Sequence, residues 1–161
     1  MTELHLLRHA HAGDPAGWRG LDETRPLSDK GVKQADRLGR FLAAVGFEPD
    51  AIITSPKLRA AQTADRVAEA LGLRVSIDDR LAGGLDPDML EAILRDAGDP
   101  QRPVLVGHDP DFSELLDDLT GSSGLEMKKG AIARIDIDRP MVAGTGTLAM
   151  LVTPDVLKPG R

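Results

Sequence analysis

The stretch LHLLRHA, residues 4–10, places a short and mostly apolar run directly before an arginine and a histidine. Such a run is typical of a strand that is buried on both faces of a sheet. The strand is expected to end at Arg8 and His9, because the glycines and proline of residues 13–17 indicate a loop. This stretch therefore predicts a buried strand that carries one arginine and one histidine to the edge of a sheet.

Strand-like and helix-like segments alternate over most of the remaining chain. Strands are predicted over residues 51–54, 73–77 and 104–106, and helices are predicted after the capping residues Ser28, Ser55 and Asp109 and over residues 88–97. Residues 131–137 and 147–152 are two β-rich runs that we expect to pair in antiparallel fashion. The alternation predicts an α/β fold with three α/β/α layers, a mostly parallel central sheet and a C-terminal antiparallel strand pair.

Composition narrows the range of possible functions. The chain has 161 residues and a net charge of −6, with no Cys, no Tyr, three Phe and one Trp. We expect one domain over residues 1–161. The absence of thiols excludes disulfides, thiolate zinc sites and cysteine nucleophiles, and the acidic, aromatic-poor composition argues against nucleic-acid binding. There is no apolar run of about 18 residues and no signal-peptide pattern, so we expect a cytoplasmic protein without membrane contact.

Five polar side chains are expected to meet at one edge of the sheet, because ligands of such sheets bind beyond the carboxyl ends of the strands. These residues are Arg8, His9, Ser55, Arg59 and His108. Arginine guanidiniums bind phosphate oxygens in bidentate fashion, and Arg59 lies in the first turn of a predicted helix, where backbone amides favour an anion. In such a phosphate pocket a neutral imidazole can attack phosphorus, with the arginines and a protonated His108 stabilising the transferred oxygens.

Four segments, in this order along the chain, carry a family resemblance. They are Leu7-Arg8-His9-Ala10, Arg25-Pro26-Leu27-Ser28 with Gly31, Ser55-Pro56 with Arg59 and Ala61-Gln62-Thr63, and Val106-Gly107-His108. They resemble the motifs of the histidine phosphatase (phosphoglycerate-mutase-like) superfamily, including its RHG signature, and more closely those of its small SixA-type phosphohistidine phosphatase branch. The resemblance implies that His9 accepts the phosphoryl group, that Arg8 and Arg59 bind its oxygens, and that His108 completes the pocket. It also makes Arg25 a second candidate contact for phosphate or substrate.

Two features depart from the family pattern. Ala10 stands where the family usually has glycine, and alanine would resist a positive φ or a close approach of phosphate at that position. Larger members carry a carboxylic proton donor, whereas the corresponding residues 80–84 have no central carboxylate. Asp109, Asp86, His11 or water remain as proton sources. Because an imidazole leaves more easily than an alkoxide, this gap favours phosphohistidine as the substrate over alcohol phosphates.

Three functions remain open. The first is a metal-independent phosphatase that removes phosphate from phosphohistidine on a signalling or phosphotransfer protein. The second is a small phosphomonoesterase that acts on a metabolite, and the third is a phosphate-binding module without turnover. No cofactor is expected, and the pair His9 and His11 lacks the further ligands that a metal site needs.

Several of these residues also have purely structural interpretations. Ser55 and Asp109 are typical helix caps, and Arg25 could simply pair with Asp29 or Glu23. Residues 128–129 are two lysines that are either solvated or help to dock an acidic partner.

Overall fold

The computed structural model describes residues 1–159. The strands are β1 (Thr2–Arg8), β2 (Ala51–Thr54), β3 (Ser76–Ile77), β4 (Pro103–Gly107), β5 (Ile132–Ile137) and β6 (Thr147–Val152). The helices are α1 (Asp29–Ala44), α2 (Leu58–Leu71), α3 (Pro87–Asp96) and α4 (Asp111–Thr120). Within the described part of the chain, no helix is long and apolar enough to cross a membrane.

The six strands form one sheet in the order β3-β2-β4-β1-β5-β6. The four strands β3, β2, β4 and β1 run parallel to one another. At the other edge β5 is antiparallel to β1, and β6 is antiparallel to β5. The predicted α/β fold, with a mostly parallel sheet and a C-terminal antiparallel pair, is confirmed. β3 has two residues rather than the five predicted.

Helices cover both faces of the sheet, as the alternation predicted. α1 and α2 pack on the face that includes Leu7 and Val104, whereas α3 and α4 pack on the face that includes Leu6 and Leu105. Adjacent residues of a strand point to opposite faces. The apolar run of β1 therefore contributes to both cores, which explains why it does not alternate with polar residues.

The starts of the helices differ from the prediction at one position that matters for the site. Ser28 caps α1 as expected, with its Oγ accepting the Gly31 N–H at 3.1 Å. α2 begins at Leu58 after Lys57, so the prediction that Ser55 caps this helix was wrong. Asp109 does accept the N–H of Ser113 in α4 at 3.0 Å.

Candidate active site

The parallel pairing of β1, β4 and β2 brings the predicted site residues together. Arg8 lies opposite Gly107, so His9 and His108 leave neighbouring strands side by side. β2 pairs with the other side of β4 and leads into Arg59 on α2. A cavity of about 450 Å³ at this edge is lined by Arg8, His9, Arg25, Arg59 and His108, among others. We call it the catalytic cavity.

The His9 ring is held with one nitrogen free to act as a nucleophile. Its Nδ1 lies 2.7 Å from the Ala10 carbonyl oxygen, to which a protonated Nδ1 donates. The Nε2 is then the nitrogen with a lone pair. Burial, together with the positive charges of Arg59 and Arg8, lowers the pKa of His9 to about 3. The ring is therefore neutral at pH 7, the state that a nucleophilic imidazole requires.

His108 lies beside His9, with 5.2 Å between the ring centroids. Burial lowers the pKa of His108 to about 3, with the neighbouring His9 ring and the positive charges of Lys57 and Arg59 as further causes. With the protein's own groups around it, this ring is therefore neutral at pH 7. The expectation of a protonated His108 concerns the pocket with a phosphoryl group bound, and it stays a prediction.

The Ser55 hydroxyl is the hydrogen-bond partner of His108. The His108 Nε2 lies 2.7 Å from the Ser55 Oγ, which also accepts the N–H of Lys57 at 3.2 Å. A hydroxyl can both donate and accept, so Ser55 can serve either protonation state of the ring. Sequence reasoning missed this role, because serine before proline is so typical of a helix cap.

Three buried nitrogens of residues that line the catalytic cavity have no partner among the described residues. They are the Nε atoms of Arg8 and Arg59 and the Nδ1 of His108. Other nitrogens fix each guanidinium: Arg8 Nη1 donates to the Met127 carbonyl at 2.8 Å, and Arg59 Nη1 donates to the Asp22 carbonyl at 2.9 Å. An unpartnered buried donor costs about 1–3 kcal/mol. All three residues line the catalytic cavity, so an anion bound there is a candidate partner for these nitrogens.

Arg25 also lines the catalytic cavity, but the loop after β1 holds its guanidinium. Its Nη1 donates to the Ala12 carbonyl at 2.7 Å, and its Nε lies 3.3 Å from the Asp22 Oδ1. Its acidic partner is thus Asp22, and neither of the two carboxylates suggested by the sequence. Asp22 was not predicted as a site residue, because no local pattern sets it apart from the other acidic residues of the loop.

Comparison with known proteins identifies the family. The model of the histidine phosphatase superfamily (branch 1) matches residues 4–83. An uncharacterized protein of Picosynechococcus sp. is 33% identical, over 98% of this chain and 99% of its own length. This chain belongs to the histidine phosphatase superfamily. Phosphohistidine phosphatase SixA of Escherichia coli is 26% identical, over 97% of this chain and 96% of its own.

Solved structures of this superfamily share the fold over almost the whole chain. SixA complexed with tungstate superposes with a TM-score of 0.84 and 24% identity, covering 98% of this chain and 100% of that one. The alpha-ribazole phosphatase of Shigella flexneri has a TM-score of 0.74 and 20% identity, covering 95% of this chain and 97% of that one. The family resemblance predicted from the motifs is confirmed, and members that act on different substrates share this fold.

Ala10 stands where the histidine phosphatase superfamily usually has glycine, and its backbone shows no strain. Among residues 1–159, Asp99 is the only non-glycine residue with a positive φ. The Ala10 methyl is fully buried beside Leu27 and Ala35, and its N–H donates to the Thr63 Oγ1 at 3.1 Å. The concern that alanine would resist this conformation therefore does not apply.

The structure separates the candidate proton donors. Asp109 lines the catalytic cavity, with its Oδ2 3.5 Å from the Arg8 Nη1 and 2.7 Å from the Ser113 Oγ that donates to it. Asp86 caps α3 by accepting the Met89 N–H at 2.8 Å and is absent from the cavity lining. His11 lines a neighbouring cavity instead. Asp109 is thus the one of these three side chains that faces the site.

No group of three or more potential metal ligands occurs within residues 1–159.

Proposed function

We propose that this protein is a phosphatase that takes a phosphoryl group from phosphohistidine on another protein, holds it covalently on His9 and releases it to water. One observation carries the proposal. A neutral imidazole lies in the same cavity as Arg8, Arg59 and His108, each of which has a buried side-chain nitrogen without a hydrogen-bond partner among the described residues. Nucleophile and anion-binding groups are the two components that phosphoryl transfer through a covalent intermediate requires.

The first step forms a bond between the His9 Nε2 and phosphorus while the P–N bond of the substrate breaks. The substrate ring, protonated on its other nitrogen, takes the bonding electrons and leaves as neutral imidazole. Arg8, Arg59 and His108 donate to the three transferred oxygens. The negative charge of the phosphoryl group raises the pKa of His108 above its value in the protein alone, and Ser55 then accepts a hydrogen bond from the protonated Nε2. Arg25 remains a candidate contact at the rim of the cavity.

The second step is hydrolysis of the phosphohistidine intermediate. Water attacks phosphorus, the bond to the His9 Nε2 breaks, and its electrons return to the ring as a lone pair. The proton lost by water passes to solvent, and inorganic phosphate is released. The Ala10 carbonyl accepts a hydrogen bond from Nδ1 throughout and keeps Nε2 directed at the reaction.

The lining of the cavity favours phosphohistidine over an alcohol phosphate. Ala82, Gly83 and Gly84 line the side where larger members carry a carboxylate. Asp111 also lines the cavity, and its Oδ2 accepts the N–H of Leu85 at 3.2 Å. Both oxygens of Asp109 are engaged, by the Ser113 N–H and Oγ and by Arg8 Nη1, so neither carboxyl stands free as a proton donor. An alkoxide leaving group needs such a donor, whereas a protonated phosphohistidine does not.

Hydrolysis of a small phosphomonoester is the second candidate, because Asp109 is a carboxyl group at the cavity wall and alpha-ribazole phosphatase shares the fold. A substrate panel separates the two functions. We expect a phosphohistidine peptide to be hydrolysed with a much higher kcat/KM than sugar phosphates, and the reverse order would reject phosphohistidine as the substrate class.

Phosphoryl trapping tests the mechanism itself. Brief incubation with a labelled phosphohistidine peptide should label the protein with an acid-labile, base-stable adduct, which fragmentation places on His9 rather than on His5 or His11. The His9→Ala variant should carry no label. A base-labile adduct, or one that persists in His9→Ala, would contradict the covalent mechanism, and tight phosphate binding without turnover would indicate a binding module.

A further inference from the structure

A second, positively charged cavity lies next to the catalytic cavity. It has a volume of about 380 Å³ and shares Arg8 and Lys129 with the catalytic cavity. Its other basic residues are Lys30 and Lys128, and His11 also lines it. We call it the basic cavity. None of the steps proposed above uses it.

The turn that carries the two adjacent lysines is tied to the backbone of the nucleophile. The N–H of Gly130 donates to the carbonyl of Arg8 at 3.1 Å and to that of His9 at 2.9 Å. Gly130 has a φ of +80°, a backbone conformation that residues with a side chain rarely adopt. The N–H of Ala131 donates to the Lys128 carbonyl at 2.9 Å and closes the turn. The backbone of the turn that carries the lysines is thus fixed relative to His9.

Positive charge exceeds negative charge in the basic cavity. Arg8, Lys30 and the two lysines of the turn face two carboxylates, Glu126 and Asp155. Each carboxylate already has a basic partner: Glu126 lies 3.5 Å from Lys128, and Asp155 lies 3.0 Å from Lys158.

Two of these lysines have no acidic partner. Within residues 1–159, Lys30 and Lys129 make no ion pair shorter than 4.0 Å. The protein as a whole carries a net charge of −6. This local excess of cations therefore favours an acidic ligand that most of the surface would repel.

We propose that the basic cavity binds Asp and Glu side chains of the protein segment that carries the phosphohistidine; this inference rests on the proposed function. An extended segment advances about 3.4 Å per residue, so residues two positions apart on the same side are separated by about 7 Å. Because the two cavities share the Arg8 side chain, a phosphohistidine in one cavity brings such a neighbour to the other. Lys30 and Lys128 are exposed at the rim and accessible to a bound segment.

Two phosphohistidine peptides test this assignment. One carries Asp and Glu two positions before and two positions after the phosphohistidine, and the other carries Asn and Gln there. We expect the protein to hydrolyse the acidic peptide with about tenfold higher kcat/KM, mainly through a lower KM, and added salt should reduce that preference. The double variant Lys30→Glu/Lys128→Glu should abolish or reverse the ratio. The double variant Lys33→Glu/Arg40→Glu makes the same total charge change at two exposed residues of α1 that do not line the basic cavity, and it should keep the ratio.

The ratio of the two kcat/KM values cancels effects that are common to both peptides, including loss of folded protein. Equal turnover of the two peptides by the unmodified protein, or an unchanged ratio in the double variant, would overturn the docking proposal and leave the proposed function intact. Failure to hydrolyse either peptide would overturn both.

Discussion

The Oδ2 of Asp22 lies 3.0 Å from the Nη2 of Arg59, so a carboxylate of the loop after β1 contacts a guanidinium that we propose binds phosphate. The Oδ1 of the same carboxylate lies 3.3 Å from the Nε of Arg25. Although partial burial opposes it, contact with both arginines lowers the pKa of Asp22, so the group is ionised at neutral pH. Asp22 therefore fixes the two arginines and also competes with an anion for their charge.

Replacement of Asp22 by Asn should strengthen phosphate binding. The backbone carbonyl of Asp22 still accepts from Arg59 in this variant, so the arginine keeps its position while the competing charge is lost. We expect the inhibition constant of inorganic phosphate to fall about two- to fivefold, the range expected for a half-exposed ion pair. Glu23→Gln removes the neighbouring exposed charge and serves as the control. A higher inhibition constant in Asp22→Asn would show that positioning outweighs competition.

Replacement of Ser55 by Ala should weaken catalysis through His108. Loss of one hydrogen bond of about 1.4 kcal/mol corresponds to an approximately tenfold lower kcat/KM. In the unmodified protein the Ser55 Oγ accepts from the Lys57 N–H, and we expect it to donate its own proton to the Nε2 of the neutral His108 ring. The neutral ring should therefore carry its proton on Nδ1, which ¹⁵N NMR of the imidazole can detect.

The same NMR measurement distinguishes this positioning role from simple destabilisation. Ser55→Ala should populate both neutral forms of His108, whereas Ser123→Ala, which changes an exposed serine, should leave the spectrum and the kinetics unchanged. If Ser55→Ala kept full activity with an unaltered His108 spectrum, the proposed role of Ser55 would be wrong.

The buried histidines should make the protein less stable in mild acid. The pKa values of His9 and His108 are about 3 in the folded protein and 6.5 for an ordinary histidine. Well above pH 6.5 the rings are neutral in both states. As the pH falls from 6.5 towards 3, the unfolded chain binds protons that the folded protein does not, so the free energy of unfolding decreases.

Urea unfolding at pH 7.5, 6.5 and 5 measures this effect. We expect a loss of about 1–2 kcal/mol for each ring between pH 6.5 and pH 5. The His108→Asn variant should lose correspondingly less over the same interval. A free energy of unfolding that stays constant or increases from pH 6.5 to pH 5 would contradict the lowered pKa values.

Gly31 should not tolerate a side chain. A Cβ atom at this position of α1 would lie 1.9 Å from the carbonyl oxygen of His11, an atom that also accepts the N–H of Ser28 at 3.0 Å. We expect Gly31→Ala to lower the free energy of unfolding by about 2 kcal/mol or more, as measured in urea. Gly17→Ala is the matched control, because a Cβ there meets no atom within 4 Å. Equal stability of the two variants would show that the His11 segment moves without cost.

The sequence was sufficient to predict the strand–helix order and the family. Some features are local properties of the chain, such as the apolar run of residues 104–106 and the helical spacing of apolar residues. They can therefore be recognised from the sequence alone. The expectation that Arg8, His9, Arg59 and His108 share one edge followed from the general geometry of parallel sheets, and the structure places all four in one cavity. The start of α2 was misplaced because a serine before a proline has the same local signature whether or not its hydroxyl caps a helix.

By itself, the sequence determined which chemical groups this protein brings to the sheet edge: two arginines, two histidines and no thiol. The tertiary structure decided the state of those groups. Burial makes His9 and His108 neutral, Ser55 bonds to His108 from 53 positions away, and Asp22 contacts Arg59 across 37 positions. The basic cavity likewise combines segments from both ends of the chain. Dehydration and contacts between distant segments arise only when the chain packs, so no local pattern of residues could have shown them.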